Sequence, residues 1–256
     1  MDFELTATQL RYRDRARDFA VRRLAPGYAE REARGQVEPE IRAELGGLGL
    51  IAPELPAALG GQDLDRLTSG MILEETARGD CNVGYLQVVG SLVGQILVTS
   101  APALAAEWVP RMCRGEEIVG IGLTEPHAGS DAGMPRLRAV RDGGDYVLTG
   151  VKSLSFAADA AAVVVFARTS DTDQRGRDIS AFLVPLDLPG VTRELYPDMG
   201  TKAVGRGAAH FDVPEAEARV IAGDLASRLP GYLVPRLVRE IYGAPAKVTL
   251  APQFPG

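Results

Sequence analysis

The sequence predicts an α+β protein, with an all-α N-terminal domain followed by an antiparallel β-barrel domain. Three observations carry that expectation. Apolar residues recur at helical spacing from Thr6 to about Arg114. From Ile118 the pattern changes to short apolar runs separated by polar loops, and no helical stretch interrupts those runs. The chain has 256 residues, long enough for two modest domains or one large one.

Thr6 and Gln9 have capping-box spacing, and Tyr12, Ala16, Phe19, Ala20 and Leu24 then recur on one helical face until Pro26. A second helix is expected from about Pro39 to Leu45, stopped by Gly46-Gly47 and followed by a Gly/Pro-rich connection from Gly49 to Gly61. A third runs from Leu64 to Arg78 with Leu67 and Met71 on one face, ended by Gly79-Asp80. Val83 to Thr99 is apolar nearly all round, which marks a helix buried within its domain. Pro102 sits at a helix start, Trp108 anchors that last helix, and Arg114-Gly115 closes it. Five helices in all are expected.

Leu137 to Arg141 and Tyr146 to Thr149 flank Asp142-Gly143-Gly144-Asp145, a strong hairpin signal because glycine tolerates the positive φ of such turns. Val163 to Ala167, Ala181 to Val184, Val191 to Leu195 and Ala208 to Val213 read as further strands. Short strands in succession argue for an antiparallel barrel or sandwich.

Composition limits the function. Hydrophobic residues at 46% and charged residues at 24% exclude a disordered chain. The net charge of −6 argues against nucleic-acid binding through bulk electrostatics, although a local anion site is compatible with it. Cys81 and Cys113 lie far apart without CxxC spacing, which suggests free thiols in a reducing compartment. The N-terminus, Met1-Asp2-Phe3-Glu4, is acidic, and the longest apolar segment, Gly84 to Val98, is shorter than the roughly 20 residues that span a bilayer. A cytoplasmic protein without a membrane partner is expected.

The stretch from Gly120 to Asp131 is the most informative. Its apolar start suits a buried strand, and Glu125-Pro126 breaks it, because proline removes a backbone donor and biases its predecessor away from helix. Gly129 and Ser130 then offer backbone N–H groups and a hydroxyl in a loop where a ligand could approach, although the same residue types also make ordinary turns. The run Leu123-Thr124-Glu125-Pro126-His127-Ala128-Gly129-Ser130-Asp131 resembles the signature of the acyl-CoA dehydrogenase family, except that His127 usually reads Gly. Further matches are Glu44 to Leu50, Glu74 to Asp80, Trp108-Val109-Pro110, Asp145 to Gly150 with Lys152, Phe166-Ala167-Arg168-Thr169, Ala181 to Pro185, Pro189-Gly190-Val191, Met199-Gly200 and Phe211 to Pro214. The resemblance covers roughly residues 1 to 223 and implies an N-terminal helical domain over 1–116, a middle β-barrel domain over 117–223, and a short Pro-rich tail over 224–256.

The resemblance also implies chemistry. Family members use FAD to desaturate an acyl thioester, carried on CoA or on an acyl-carrier protein: a carboxylate removes the α-proton and the β-hydrogen leaves as hydride. By position, Ile121, Leu123 and Thr124 would contact the flavin ring, Thr124 through its hydroxyl, while Gly129 and Ser130 would meet flavin phosphate or, for Ser130, the thioester substrate. After Lys152 the family usually shows an aromatic residue, an aliphatic one and then Thr or Ser. Here Leu154, Ser155 and Phe156 occupy that flavin-binding place, and bringing Ser155 into the hydroxyl's position would need a β-bulge.

The family continues as a helical bundle that supplies the catalytic carboxylate and much of the flavin site. In its place stands a tail from Asp224 to Gly256 carrying five prolines, with at most one short helix over Leu233 to Tyr242, so no catalytic residue is assigned in this chain. The expectation is a truncated family member whose apolar faces are covered by a partner subunit or by self-association, or have been lost.

Other constellations carry less. His127 beside Glu125 could form an acid/base pair or touch phosphate, but such a loop histidine is more often solvated; His210 reads as structural, and Glu74 and Glu75 as solvent-facing. No metal site is indicated. Gly120-Ile121-Gly122 lacks the third glycine of a dinucleotide fingerprint, and Asp171 to Asp178 is a solvated loop. Two functions stay open: a flavoprotein dehydrogenase, or a family-derived binding or structural subunit that no longer holds flavin.

Overall fold

A computed structural model describes residues 4–133, 135–142, 145–169 and 179–211. The hairpin turn at 143–144, the charged run 171–178, and the tail 224–256 with its expected helix lie outside the described residues. The chain divides into two compact units. One comprises residues 4–119 and 196–206, the other 120–195 and 207–211.

The first unit is helical. Helix α1 (Ala7–Phe19) starts at the expected capping box: Thr6 Oγ1 accepts from Gln9 N at 3.2 Å, and Gln9 Oε1 accepts from Thr6 N at 2.9 Å. Tyr12, Ala16 and Phe19 form its buried face. A π-helical turn (Ala20–Leu24) and a 3₁₀ turn holding Pro26 follow, and then α2 (Tyr28–Arg34), which the sequence pattern did not disclose. Its buried residue is Arg31, so there was no apolar period to read. The Arg31 guanidinium donates through Nε to Asp80 Oδ2 at 2.6 Å and also to the Leu24 carbonyl.

Helix α3 (Pro39–Gly47) begins at Pro39 and buries Ile41 and Leu45. Helix α4 (Arg66–Gly79) is capped by Asp65, which accepts from Thr68 N at 2.9 Å. Its inner face is Thr68, Ile72, Glu75 and Thr76, which corrects the expected Leu67 and Met71 face: Leu67 is 62% exposed. Glu75 is also corrected from solvent-facing to buried, where it pairs with Arg17. Both errors share a cause. Polar side chains on this face are satisfied across the unit, as when Thr76 donates to Gln87 and Gln87 Nε2 donates to the Leu50 carbonyl at 2.6 Å.

Helix α5 (Cys81–Ser100) has the length and hydropathy of a membrane-crossing helix, longer than the segment 84–98 suggested. Packing accounts for its composition: α5 lies against α4 and α6 and buries Val83, Leu86, Val89, Val93 and Leu97. Helix α6 (Pro102–Cys113) starts at Pro102 and buries Trp108, with the Arg111 guanidinium 5.1 Å from the indole centroid. Six α-helices are thus described where five were expected. Both cysteines are free, Cys81 exposed and Cys113 buried, and burial pushes the Cys113 thiol up to about 11. Residues 196–206 complete the unit: Lys202 N donates to the Glu32 carboxylate at 3.0 Å.

The second unit is a seven-stranded curled sheet of β1 (Val119–Gly122), β2 (Arg138–Asp142), β3 (Asp145–Leu154), β4 (Ala162–Arg168), β5 (Ile179–Pro185), β6 (Val191–Leu195) and β7 (Gly207–Phe211). Its order is β1-β4-β2-β3-β7-β6, with β5 paired to β4. Pairs β2/β3, β3/β7, β4/β5 and β6/β7 are antiparallel, as expected. The sheet is nevertheless mixed, because β2 meets β4 in parallel at Arg138 and Arg168. Every residue of β5 is buried, as are Ala162 to Ala167 of β4, which puts the core of the unit at this pair.

Gly115 closes α6 in the left-handed region at φ +72°, and a Cβ there would lie 2.1 Å from the Arg42 carbonyl oxygen. Backbone cannot yield as a side-chain tip can. Gly115→Ala should therefore cost about 2 kcal/mol or more, measured by urea unfolding followed through Trp108, the one tryptophan of the chain.

Candidate functional site

The Pro126 junction is built from the β unit's own residues. Past β1, Pro126 and His127 form a two-residue turn closed by Glu125 N to Ala128 O at 3.0 Å and Ala128 N to Glu125 O at 3.1 Å. Proline suits the first central position of such a turn. Histidine replaces the usual glycine at the second without strain, since His127 does not carry a positive φ. The approach is tied to β3 by Ser153 N donating to Thr124 O at 2.9 Å.

Behind the turn lies a buried ion pair. Lys152 is fully buried on β3, and its Nζ stands 2.7 Å from Glu125 Oε1 while donating to the Leu123 carbonyl at 3.1 Å. Glu125, only 4% exposed, also accepts from Arg136 N at 2.7 Å and Leu137 N at 3.0 Å, with His127 Nδ1 at 3.6 Å from Oε2. Gly122 makes room for the lysine stem: a Cβ there would come within 3.2 Å of Lys152 Cβ and 3.0 Å of Val165 Cγ1. Burial alone would raise the Glu125 pKa, but the bonds from Lys152 and the two amides outweigh it and hold the carboxyl below its ordinary value. Burial holds the Lys152 ammonium below its ordinary value, with Glu125 partly offsetting this.

The pair was legible only in part. Leu148, Lys152 and Leu154 are buried at even positions of β3, so Lys152 stands on the inward face of the strand. A lysine in that phase calls for a buried carboxylate, but nothing in the spacing points to Glu125, 27 positions earlier.

The flavin-site candidates fall into two groups. On the loop, Thr124, Gly129 and Ser130 are exposed, and a Cβ added at Gly129 would meet nothing within 4 Å. Ile121 on β1 and Leu123 just after it are half-buried. These five fit a ligand approaching the loop, with apolar contacts, a hydroxyl and accessible main chain. The strand group differs: Leu154, Ser155 and Phe156 are 4%, 7% and 0% exposed. Leu154 pairs with Gly207 in an unbroken β3/β7 register, so no bulge carries Ser155 across. The chain bends after the strand, and Phe156 takes the left-handed conformation at φ +58°. His210 on β7 lies 3.5 Å from Glu194 on β6.

Comparison with known sequences agrees with this architecture. The model of the acyl-CoA dehydrogenase N-terminal domain matches residues 6–116, and that of the middle domain matches residues 120–213. This chain belongs to the acyl-CoA dehydrogenase family. It is 36% identical over 192 residues to the short-chain specific acyl-CoA dehydrogenase of Bos taurus mitochondria, covering 74% of this chain and 46% of that protein. It is 32% identical over 243 residues to the (2S)-methylsuccinyl-CoA dehydrogenase of Cereibacter sphaeroides, covering 91% and 44%. The chain spans about half the length of these curated relatives. Among solved structures, a glutaryl-CoA dehydrogenase from Mycobacterium smegmatis in complex with FADH2 superposes with a TM-score of 0.75 at 27% identity, covering 92% of this chain and 60% of that one.

Glu125→Gln should cost about 3 kcal/mol at neutral pH, because it leaves the buried ammonium facing a neutral amide. A carboxyl held below its ordinary value of 4.5 stabilises the fold fully above that pH and loses the contribution as pH falls through the lowered folded value. Denaturant unfolding between pH 7 and 3 should therefore show a steeper acid limb in the wild type than in Glu125→Gln.

Proposed function

We propose that this chain supplies the helical and middle domains of an FAD-dependent dehydrogenase that desaturates an acyl thioester, on CoA or on a carrier protein. The reading is carried by the exposed Thr124, Gly129 and Ser130 on a loop held rigidly by the Glu125–Lys152 pair. Bound FAD would supply the hydride acceptor. Within the chain, the Thr124 hydroxyl would orient the ring through one hydrogen bond, Ile121 and Leu123 would give it apolar contact, and Gly129 and Ser130 would approach its phosphate or the thioester.

Glu125 is a poor base for the α-proton. It is buried, held in the ionised form, and already accepts from Lys152, Arg136 and Leu137. A second reading, a binding subunit without flavin, is favoured by one observation: Leu154 and Phe156, which stand where the family usually has an aromatic and a hydroxyl residue, are both buried.

The absorption spectrum separates the two. Purified protein titrated with FAD should show the visible bands of bound oxidised flavin, and Thr124→Ala should weaken binding by about 1 kcal/mol for one lost hydrogen bond. A colourless protein that ignores added FAD selects the second reading for the isolated chain. Unchanged retention in the variant removes the role of Thr124.

A further inference from the structure

Helix α5 has two faces with different surroundings. One buries Val83, Leu86, Val89, Val93 and Leu97 within the helical unit. The other carries Cys81, Tyr85, Val88, Leu92, Gln95 and Thr99, all exposed or half-buried, with Tyr85 at 43% and Leu92 at 50%. These six follow one another at intervals of four, three, four, three and four residues. That alternation is the mark of a two-helix seam, whose knobs repeat about every 3.5 residues, whereas a helix face turned to water is normally charged. From Cys81 to Ser100, α5 has no Asp, Glu, Lys or Arg.

The seam is complementary to itself when reversed. With Leu92 of one copy over Val88 of another, an antiparallel register also sets Tyr85 against Gln95 and Cys81 against Thr99, and a two-fold axis repeats every layer. Apolar side chains then meet at the centre, and residues with polar atoms flank them at both ends. A parallel pairing would stack each residue on its own kind and align the two helix dipoles, which the antiparallel one opposes. A groove of about 340 Å³ runs beside the centre of the seam, between Ser69, Gly70 and Leu73 of α4 and Val88, Ser91 and Leu92 of α5. Gly70 leaves it open, since a Cβ there would meet nothing within 4 Å, and the incoming leucine gains a hole to enter. Charge points to the same face: two copies of net charge −6 repel each other, and an uncharged stripe is where they approach at least cost.

We propose that α5 is a homodimer interface, pairing with α5 of a second copy in an antiparallel seam that has Leu92 and Val88 at its centre. The interface lies wholly in the helical unit, so it stands or falls separately from the flavin reading.

Sedimentation velocity across micromolar concentrations should show the full chain as a dimer. Leu92→Asp should weaken the association about a hundredfold or more, because it buries two carboxylates among apolar side chains. Val21→Asp, at an exposed apolar position outside the seam, should leave it unchanged. Cysteine cross-linking reads the register. In the antiparallel pair Cys81 lies beside residue 99 of the second copy, while the two Cys81 thiols stand about 27 Å apart along the axis, given a rise of about 1.5 Å per residue. With copper–phenanthroline as oxidant, Thr99→Cys should therefore give a disulfide-linked dimer that wild type does not, and adding Cys81→Ser should abolish it. Should Leu92→Asp fail to fold, this cross-link still decides. A dimer that Leu92→Asp does not weaken, or one that cross-links through Cys81 in wild type, overturns the proposal. So does a monomer at every concentration, which would leave the stripe to residues 212–256 of this chain or to a different protein.

Discussion

One buried ion pair organises the β unit around its functional loop. Placing Lys152 in a position with no exposure is costly unless a carboxylate meets it, and Glu125 meets it at 2.7 Å while taking two backbone amides as well. Three segments distant in sequence are thereby held together: the loop after β1, the approach to β2, and β3. A hydrophobic replacement of equal volume could fill the same space, but it would not orient the amides of Arg136 and Leu137 or fix the turn that carries His127. The pair's contribution is directional, which apolar packing does not supply.

The helical unit uses the same device. Arg31 and Asp80, both almost fully buried, join α2 to the cap of α5, where Asp80 also accepts from Asn82 N. Asp80 therefore serves as helix cap and counter-ion at once. Close backbone contacts complete the scaffold: Gly46 packs against Arg114 so tightly that a Cβ would fall 2.4 Å from its carbonyl carbon. Polar groups, and glycines where chains touch, thus hold places in this fold that a purely apolar code would not mark.

This explains which expectations survived. The α1 cap, the proline starts of α3 and α6, the buried character of α5 and the succession of short strands in the β unit were readable, because each is a local property of a few neighbouring residues. The α4 face and Glu75 were misread, since residues on that helix are chosen by partners on α1 and α5. Helix α2 went unseen because a charged residue forms its buried contact. The exception to an antiparallel sheet, β2 beside β4, comes from a pairing between segments 30 positions apart, which no local pattern reports.

By itself, then, the sequence determined the α-then-β order, the strand break at Glu125-Pro126 and the family resemblance, because propensity, periodicity and turn chemistry act over a few residues. Only the tertiary structure decided that Glu125 answers Lys152, that Leu154 and Phe156 are buried, and that α5 turns a second, uncharged stripe outward. Those outcomes depend on distances between residues far apart along the chain, and charge and burial are settled by such neighbours rather than by the residue's own type.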